Sequence, residues 1–180
     1  YDRDKEDREA IANGIAGKRG ATLVRPYDDP FVIAGQGTVG REIAEDMAAL
    51  GLTPDIVVAP ASGGGLIAGV ATAVKAKFPQ AQVIVAEPKD YDDHGLSLRA
   101  GHREAHHAAG RTICDALMAA MPGEMTFSIN SKLLANGVTA SDEEVGAAVA
   151  YAYRELKLVV EPGGAVGLAA LLAGRIDAKG

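Results

Sequence analysis

Cysteine and aromatic residues are scarce in this chain. One of the 180 residues is cysteine, none is tryptophan, and phenylalanine and tyrosine are few. A single cysteine cannot form a disulfide within the chain, so the sequence predicts a reducing compartment, the cytoplasm. Cys114 itself is best interpreted as a small buried hydrophobic residue.

The chain also lacks an excess of basic residues and any long apolar run. Its formal net charge is −6. A general nucleic-acid-binding protein needs a positive surface to displace counterions, so we expect no nucleic-acid partner. No apolar stretch approaches the roughly 20 residues of a membrane span, and no secretory signal stands at the start, so we expect no membrane partner.

Small and apolar residues are what the chain has in plenty. Hydrophobic residues make up 48% of it and 22 residues are glycine, a mixture typical of an α/β domain whose helices pack closely on a sheet. A buried strand at 55–60, a helix at 65–77 and a second buried strand at 82–87 form a βαβ unit with parallel strands.

This unit predicts an α/β fold, a three-layer parallel sheet with flanking helices. Periodicity and turn residues predict the other elements. They are helices at 4–17, 38–50, 92–100, 141–156 and 164–172, a further helix near 112–120, short strands at 21–24 and 158–160, and a loop at 25–37. Ser141 and Glu144 form a capping-box motif.

The strand at 55–60 leads into a glycine-rich turn, Ser62–Leu66, at the start of the following helix. A helix N-terminus presents unpaired N–H groups and a partial positive charge, and glycines allow an anion to come close. The junction therefore predicts a phosphate site, although a turn with glycines only for packing stays open. The pattern is neither a Walker loop nor a G-x-G-x-x-G fingerprint.

Four sequence blocks, in order and spacing, resemble the threonine/serine dehydratase and serine racemase family of fold-type-II pyridoxal-phosphate enzymes. They are Val32–Thr38 (VIAGQGT), Ser62–Leu66 (SGGGL), Ala86–Pro88 (AEP) and Val160–Ala165 (VEPGGA). The resemblance covers essentially all 180 residues. It implies a fold-type-II catalytic domain and pyridoxal 5'-phosphate as the cofactor.

The resemblance also implies which residues bind the cofactor. The usual loop has four glycines, and Ser62 replaces the first of them. The segment expected near the cofactor ring has Ala116 where the family has glycine. Glu161 is expected beside the pyridine ring, or else as a carboxylate stabilised by a helix N-terminus. The implied cofactor-binding residues are Ser62, Gly63, Gly64, Gly65, Leu66, Ala116 and Glu161.

A cation site is implied by the acidic segment that follows the second strand. Glu87 and Asp93, with the backbone carbonyl of Tyr91, match the divalent-cation site of the serine racemase branch, which binds Mg²⁺, Ca²⁺ or Mn²⁺. The alternative is a solvated acidic helix start. A zinc site formed by His94, His102, His106 and His107 is disfavoured, because the H-E-x-x-H pattern is missing.

The lysine that such an enzyme needs to bind its cofactor covalently has no candidate among the eight lysines here. The chain also starts at Tyr1, and eight of its first nine residues are charged. We therefore expect residues 1–180 to be the central and C-terminal part of the catalytic domain, without its N-terminal part and extreme C-terminus. We assign no catalytic residue in this chain and expect it to be inactive alone.

The expected function of the full-length protein is that of a pyridoxal-phosphate-dependent ammonia-lyase. It would convert a hydroxy-amino acid such as L-threonine or L-serine to a 2-oxo acid and ammonia, as a homodimer or homotetramer. A serine or aspartate racemase and a hydroxyaspartate- or hydroxyectoine-pathway dehydratase remain alternatives. A non-catalytic α/β domain that binds a phosphorylated metabolite is the alternative of another class.

Overall fold

Three parallel strands form the sheet of this protein in the computed structural model, which describes residues 1–2, 5–106 and 110–178. The strands are β1 (Ile56–Pro60), β2 (Gln82–Pro88) and β3 (Asn136–Ala140), in the order β1-β2-β3. Ile56 pairs with Gln82, and Ile84 with Asn136. The central strand β2 is therefore covered on both edges.

Helices lie on both faces of this sheet. In the part of the chain that the structure describes they are α1 (Arg8–Arg19), α2 (Pro30–Ala49), α3 (Gly65–Lys77), α4 (Asp93–Ala100), α5 (Glu124–Leu133), α6 (Asp142–Tyr151) and α7 (Pro162–Leu172). A π-helical segment, Ala152–Leu156, follows α6. None of these described helices combines the length and apolar character that a membrane span requires.

The two faces of β2 contact different helices because successive side chains of a strand point in opposite directions. Val83 and Val85 pack with α3, whereas Ala86 on the other face packs with α6 and α7. The predicted three-layer α/β fold is confirmed. Strands β1 and β2 begin and end within one residue of their predicted limits.

Helices α2 and α3 approach closely because both carry glycine at the crossing. A Cβ atom on Gly40 would lie 2.6 Å from the carbonyl oxygen of Val70, and one on Gly69 would lie 2.4 Å from that of Ile33. The VIAGQGT block therefore belongs to a helix, and the predicted loop at 25–37 is wrong from residue 30 onwards. Asp29 begins α2 by accepting hydrogen bonds from the amides of Phe31 and Val32.

Two predicted strands and one predicted helix are also wrong. Residues 21–24 and 158–160 lie outside the three-stranded sheet; Val159 is 89% exposed, so no packed sheet face holds it in register. Residues 112–120 form turns, and the nearby helix is α5 instead. Strand β3 was not predicted, because its sequence, NGVTA, contains a single strongly β-favouring apolar residue.

Helix α6 begins as predicted but ends differently. Glu144 donates its amide to the Ser141 hydroxyl (3.3 Å), and the Ser141 amide donates to the Glu144 carboxylate (2.8 Å), which confirms the capping box. Beyond Tyr151 the chain forms the π-helical segment, and Tyr153, a member of the predicted apolar stripe, is 66% exposed.

Candidate functional site

The glycine loop Ser62–Leu66 lies between the carboxyl end of β1 and the first turn of α3. Gly64 is the N-cap residue, with φ of 95°, a left-handed conformation that glycine adopts without strain. The first amides of α3 have no partner within the helix and point out of its N-terminus. The backbone therefore offers several donors and a partial positive charge at one place.

Helix α5 and the residue before it bind the carbonyl groups of this loop. The carbonyl oxygen of Gly63 accepts hydrogen bonds from the Gly123 amide (3.1 Å) and the Thr126 hydroxyl (2.6 Å). The side-chain amide of Asn130 donates to the carbonyl of Gly64 (3.3 Å). Among the described residues, the amides of Gly63 and Gly64 donate to no protein group. The loop thus has satisfied acceptors and unused donors, as an anion site requires.

Tyr27 and Asp28, just before α2, hold the loop from the other side. A Cβ atom on Gly63 would lie 2.3 Å from the Tyr27 ring, so only glycine allows this contact. Asp28 accepts hydrogen bonds from the amides of Glu124 (3.2 Å) and Thr126 (3.1 Å) at the start of α5. Burial raises the pKa of Tyr27, and the Glu9 carboxylate adds to the effect. The phenol is therefore neutral where it touches the loop.

A cavity of about 780 Å³ opens in front of the glycine loop. Its volume falls in the range of small-molecule sites, about 300–1,000 Å³. The Ser62 hydroxyl accepts a hydrogen bond from the Ala119 amide (3.0 Å), which joins the loop to the opposite wall. The lining includes Ser62, Gly63, Gly64, Gly65, Leu66, Ala116 and Glu161, the residues predicted to bind the cofactor.

Those seven residues therefore surround one space, and their role in cofactor binding stays a prediction. Glu161 is the N-cap residue of α7, is exposed, and makes no side-chain capping hydrogen bond. Its carboxylate is thus available to the cavity. The fit to a phosphorylated pyridine is good, since a loop with unused amide donors and a wall that includes Ala116 and Glu161 belong to the same cavity.

A second cluster lies close to the glycine loop and is fully buried. Glu87, at the end of β2, accepts hydrogen bonds from the amides of His94 (2.8 Å) and Gly95 (2.9 Å). The Nδ1 atom of His94 lies 3.7 Å from Glu87 Oε1 and 3.6 Å from Asp93 Oδ2. At most 1% of Glu87, Asp93 or His94 is exposed.

Burial governs the protonation of this acidic pair. It raises the pKa of Glu87 well above the ordinary value, the Asp93 charge adds to the effect, and the amides of His94 and Gly95 oppose it. Burial also raises the pKa of Asp93, against the neighbouring His94. Two carboxylates in so small a volume need a compensating positive charge to be ionised together.

The residues present fit a divalent cation. Asp93 Oδ2 has no hydrogen-bond partner among the described residues. The carboxylates of Glu87 and Asp93 belong, with His94, to a group whose polar atoms lie within 4.8 Å of one another. Tyr91 stands between the two acids in sequence, with its ring buried and its hydroxyl donating to Gly110. Ligation by its carbonyl stays a prediction.

The structure does not bring the other histidines to this cluster. His102 is exposed and contacts Glu104 (2.7 Å). His106 packs on the Tyr91 ring, with the ring centres 4.4 Å apart. His107 lies outside the described residues. Among the described residues, the candidate metal group contains one histidine, His94, so the zinc interpretation gains no support from the other described histidines.

Sequence reasoning missed Thr126 and Asn130, which hold the loop, and the position of His94 beneath it. All three are polar and fully buried. A signal was present, because Thr126 and Asn130 are four residues apart and so share one face of α5 with the core residue Phe127 beside them. What that face contacts depends on tertiary packing.

Comparison with protein families gives one match over the whole chain: residues 1–180 match the family described as "Pyridoxal-phosphate dependent enzyme". An L-threonine ammonia-lyase of Thermotoga maritima is 40% identical over 169 residues, which are 92% of this chain and 40% of that protein. A serine racemase of Arabidopsis thaliana is 40% identical over 166 residues, covering 92% of this chain and 48% of its own length.

Solved structures give the same relationship. A threonine deaminase from the organism abbreviated T.th. superposes with a TM-score of 0.89 and 41% identity, over 94% of this chain and 58% of that one. A serine racemase of maize superposes with a TM-score of 0.84 and 37% identity, over 93% and 49%. This chain spans about half the length of the relatives it matches.

Proposed function

Since this chain belongs to the pyridoxal-phosphate-dependent enzyme family, we propose that the whole protein is an ammonia-lyase that converts L-threonine or L-serine to a 2-oxo acid and ammonia. The observation that carries the proposal is the glycine loop, whose carbonyls are bonded to α5 while its amides face a cavity. The relatives named threonine ammonia-lyase and threonine deaminase support the choice of reaction.

The amides of Ser62–Leu66 hold the cofactor's phosphate, helped by the positive end of α3. When bound, pyridoxal phosphate supplies an electron sink for the charge that develops on the substrate's α-carbon. The contribution of this chain is to bind and orient the cofactor. Its backbone amide donors are held in place before the cofactor binds. Glu161 and Ala116 lie along the wall where the ring fits.

The reactive lysine comes from a part of the whole protein outside residues 1–180. None of the described residues that line the cavity is a lysine. The chain also spans about half the length of its relatives. Residues 1–180 accordingly form the central and C-terminal part of the catalytic domain, and this part alone has no ammonia-lyase activity.

The acidic cluster binds a hard divalent cation, Mg²⁺, Ca²⁺ or Mn²⁺, through the carboxylates of Glu87 and Asp93 and the Tyr91 carbonyl. Oxygen ligands of this kind suit all three ions. The cation supplies the positive charge that the buried acids need to ionise. It also gives Asp93 Oδ2, which has no hydrogen-bond partner among the described residues, a binding partner. It stabilises the segment between β2 and α4.

Serine racemase activity is the second candidate, because relatives named serine racemase are as similar to this chain as the ammonia-lyase is. Both reactions use the same cofactor and remove the same α-proton, so the geometry of the glycine loop does not distinguish an ammonia-lyase from a racemase. The family match favours either enzyme over a non-catalytic domain that binds a phosphorylated metabolite.

The test uses the purified whole protein with pyridoxal phosphate and, separately, L-threonine and L-serine. We expect an absorbance band at roughly 410–430 nm from the bound cofactor and release of 2-oxo acid and ammonia. Formation of D-serine without oxo acid would establish the racemase instead. Absence of both products and of the band would contradict the proposal in favour of a binding domain.

A further inference from the structure

We propose that His94 is a positioning residue that couples cation binding at Glu87 and Asp93 to anion binding at the glycine loop. The inference rests on the proposed function, because that function assigns a cation to one site and a phosphate to the other. It adds an energetic link between them, through a side chain that ligates neither the cation nor the phosphate in that function.

His94 lies between the two sites and touches both. On one side its Nδ1 atom is 3.7 Å from Glu87 Oε1 and 3.6 Å from Asp93 Oδ2. On the other side its Nε2 atom is 3.2 Å from Asn130 Nδ2. That nitrogen is in turn 3.3 Å from the carbonyl oxygen of Gly64. One chain of contacts therefore runs from the acids to the loop.

The carbonyl of Gly64 determines which atom is the donor in the two contacts of the Asn130 side-chain amide, one with Gly64 and one with His94. A carbonyl oxygen can only accept, so the amide nitrogen of Asn130 faces it and is the donor. The same nitrogen faces His94 Nε2, which therefore accepts, and the ring proton lies on Nδ1. His94 thus presents an N–H group to the two carboxylates.

Steric contact and the backbone reinforce the link. A Cβ atom on Gly64 would lie 2.4 Å from His94 Nε2, so the loop and the imidazole are packed without intervening space. The backbone amide of His94 also donates to Glu87 (2.8 Å). A movement of Glu87 is therefore transmitted to the ring, and a movement of the ring to Gly64. Water does not screen these contacts, because His94, Glu87 and Asn130 are all 0% exposed.

A cation bound by both carboxylates changes the positions of the oxygen atoms that the Nδ1–H group of His94 faces. The imidazole ring then moves with them. We infer that the arrangement with a bound cation is also the one that holds Gly64 for phosphate binding. Linkage is reciprocal, so the cation tightens cofactor binding and the cofactor tightens cation binding by the same factor.

The experiment measures the dissociation constant of pyridoxal phosphate for the whole protein, with and without saturating Mg²⁺, by equilibrium fluorescence titration in the absence of substrate. We expect Mg²⁺ to tighten binding in the wild type by about tenfold, within the usual range of coupling between sites. The quantity that tests the link is this ratio of dissociation constants.

Two variants cut the link at opposite ends. His94→Asn places an amide N–H near the position of Nδ1 and removes the contact with Asn130, whereas His94→Gln reaches the position of Nε2 and removes the group facing the acids. We expect the ratio to fall to about one in both, while each variant still binds pyridoxal phosphate. Ser97→Ala is the matched control, since it removes a buried hydrogen-bonding group of α4 that contacts Glu104 instead.

The outcomes separate the two proposals. A wild-type ratio near one, or a ratio that survives in either His94 variant, overturns the coupling. Cofactor binding by the wild type would still leave the proposed function standing. A wild type that binds no pyridoxal phosphate overturns both. If a His94 variant does not fold, as judged by circular dichroism, Asn130→Ala interrupts the same chain at its middle and is expected to give the same loss.

Discussion

Gly64 is the residue at which backbone conformation and crowding act together. Its φ of 95° is costly for any residue with a Cβ atom, and that atom would lie 2.4 Å from His94 and 2.8 Å from Asn130. Both neighbours are buried and hydrogen-bonded to each other, so neither can move aside freely. The glycine is required by the site as well as by the turn.

We therefore expect Gly64→Ala to lower the free energy of unfolding by about 2–5 kcal/mol, from left-handed strain plus overpacking, and to abolish binding of pyridoxal phosphate. Urea unfolding and cofactor titration measure the two effects. Gly51→Ala is the control, because Gly51 has φ of 69° with open space around it; only the conformational part, about 1–2 kcal/mol, should remain. Equal losses in the two variants would contradict the crowding argument.

Thr126 stabilises the loop through one buried hydroxyl. Thr126→Val keeps the shape but removes the 2.6 Å hydrogen bond to the Gly63 carbonyl, which retains the Gly123 amide as a donor. We expect a loss of about 1–2 kcal/mol in unfolding free energy, with weaker cofactor binding because the loop is less fixed. Thr72→Val removes a comparable hydroxyl-to-carbonyl bond within α3 and should leave cofactor affinity unchanged. Unchanged affinity in Thr126→Val would argue against the support role.

At the scale of elements, three helix N-termini organise the polar groups around the site. The glycine loop contains the N-cap residue of α3. Asp28 accepts a hydrogen bond from a backbone amide at the start of α5, and Glu87 accepts one from an amide at the start of α4. Each arrangement places an acceptor or a predicted anion where unpaired amides point. The start of α6 is a case that can be tested independently of any ligand.

Ser141→Ala removes the hydroxyl half of the capping box at α6. We expect the free energy of unfolding to fall by about 1 kcal/mol, a usual cost for an N-cap serine, as measured by chemical denaturation. Ser128→Ala removes an exposed hydroxyl that bonds only a neighbouring carbonyl of α5 and should cost less. A Ser141→Ala protein as stable as the wild type would contradict the capping role.

Glu144 makes the stability of the same terminus depend on pH. The Ser141 amide, and then Arg175, lower the pKa of Glu144 below its ordinary value of 4.5. A lowered pKa means that the carboxylate's contribution is present above pH 4.5 and is lost as the pH falls through the folded-state pKa. We expect the stability difference between wild type and Glu144→Gln to be constant near neutral pH and to shrink below about pH 4.5. A difference that does not change down to about pH 3 would refute this assignment.

At the scale of the whole molecule, the buried acidic cluster should connect stability to divalent cations. Without a cation, ionising the buried carboxylates of Glu87 and Asp93 destabilises the folded protein, since burial raises the pKa of both groups. A ligand that binds only the folded state stabilises it by about 2.7 kcal/mol at a hundred times its dissociation constant. The segment that benefits lies directly against the glycine loop.

We therefore expect Mg²⁺, Ca²⁺ or Mn²⁺ to raise the melting temperature of the whole protein, and Glu87→Gln or Asp93→Asn to remove that rise. Differential scanning calorimetry in the presence of chelator and of each cation measures it. Asp92→Asn is the control, since the Asp92 carboxylate pairs with Arg99 (3.3 Å) and is not one of the proposed ligands. A cation effect that persists in Glu87→Gln would locate the ion elsewhere.

The sequence by itself determined the parts of this protein that depend on neighbouring residues. Apolar runs and their spacing predict β1, α3 and β2, and the glycine loop is predicted from its position between β1 and α3. The capping box is predicted because Ser141 and Glu144 are three residues apart. The four sequence blocks also indicate the cofactor class, through their resemblance to a known family. Each of these signals is complete within a short window of the chain.

Only the tertiary structure decided which groups support the site. Thr126 and Asn130 reach the loop across 63 and 66 residues, and His94 meets Asn130 across 36. Strand β3 exists because β2 offers it an edge, whereas residues 158–160 find none. The reason is physical: contacts between distant segments leave no periodic trace in the chain, and they form only when packing brings buried polar groups within hydrogen-bonding distance.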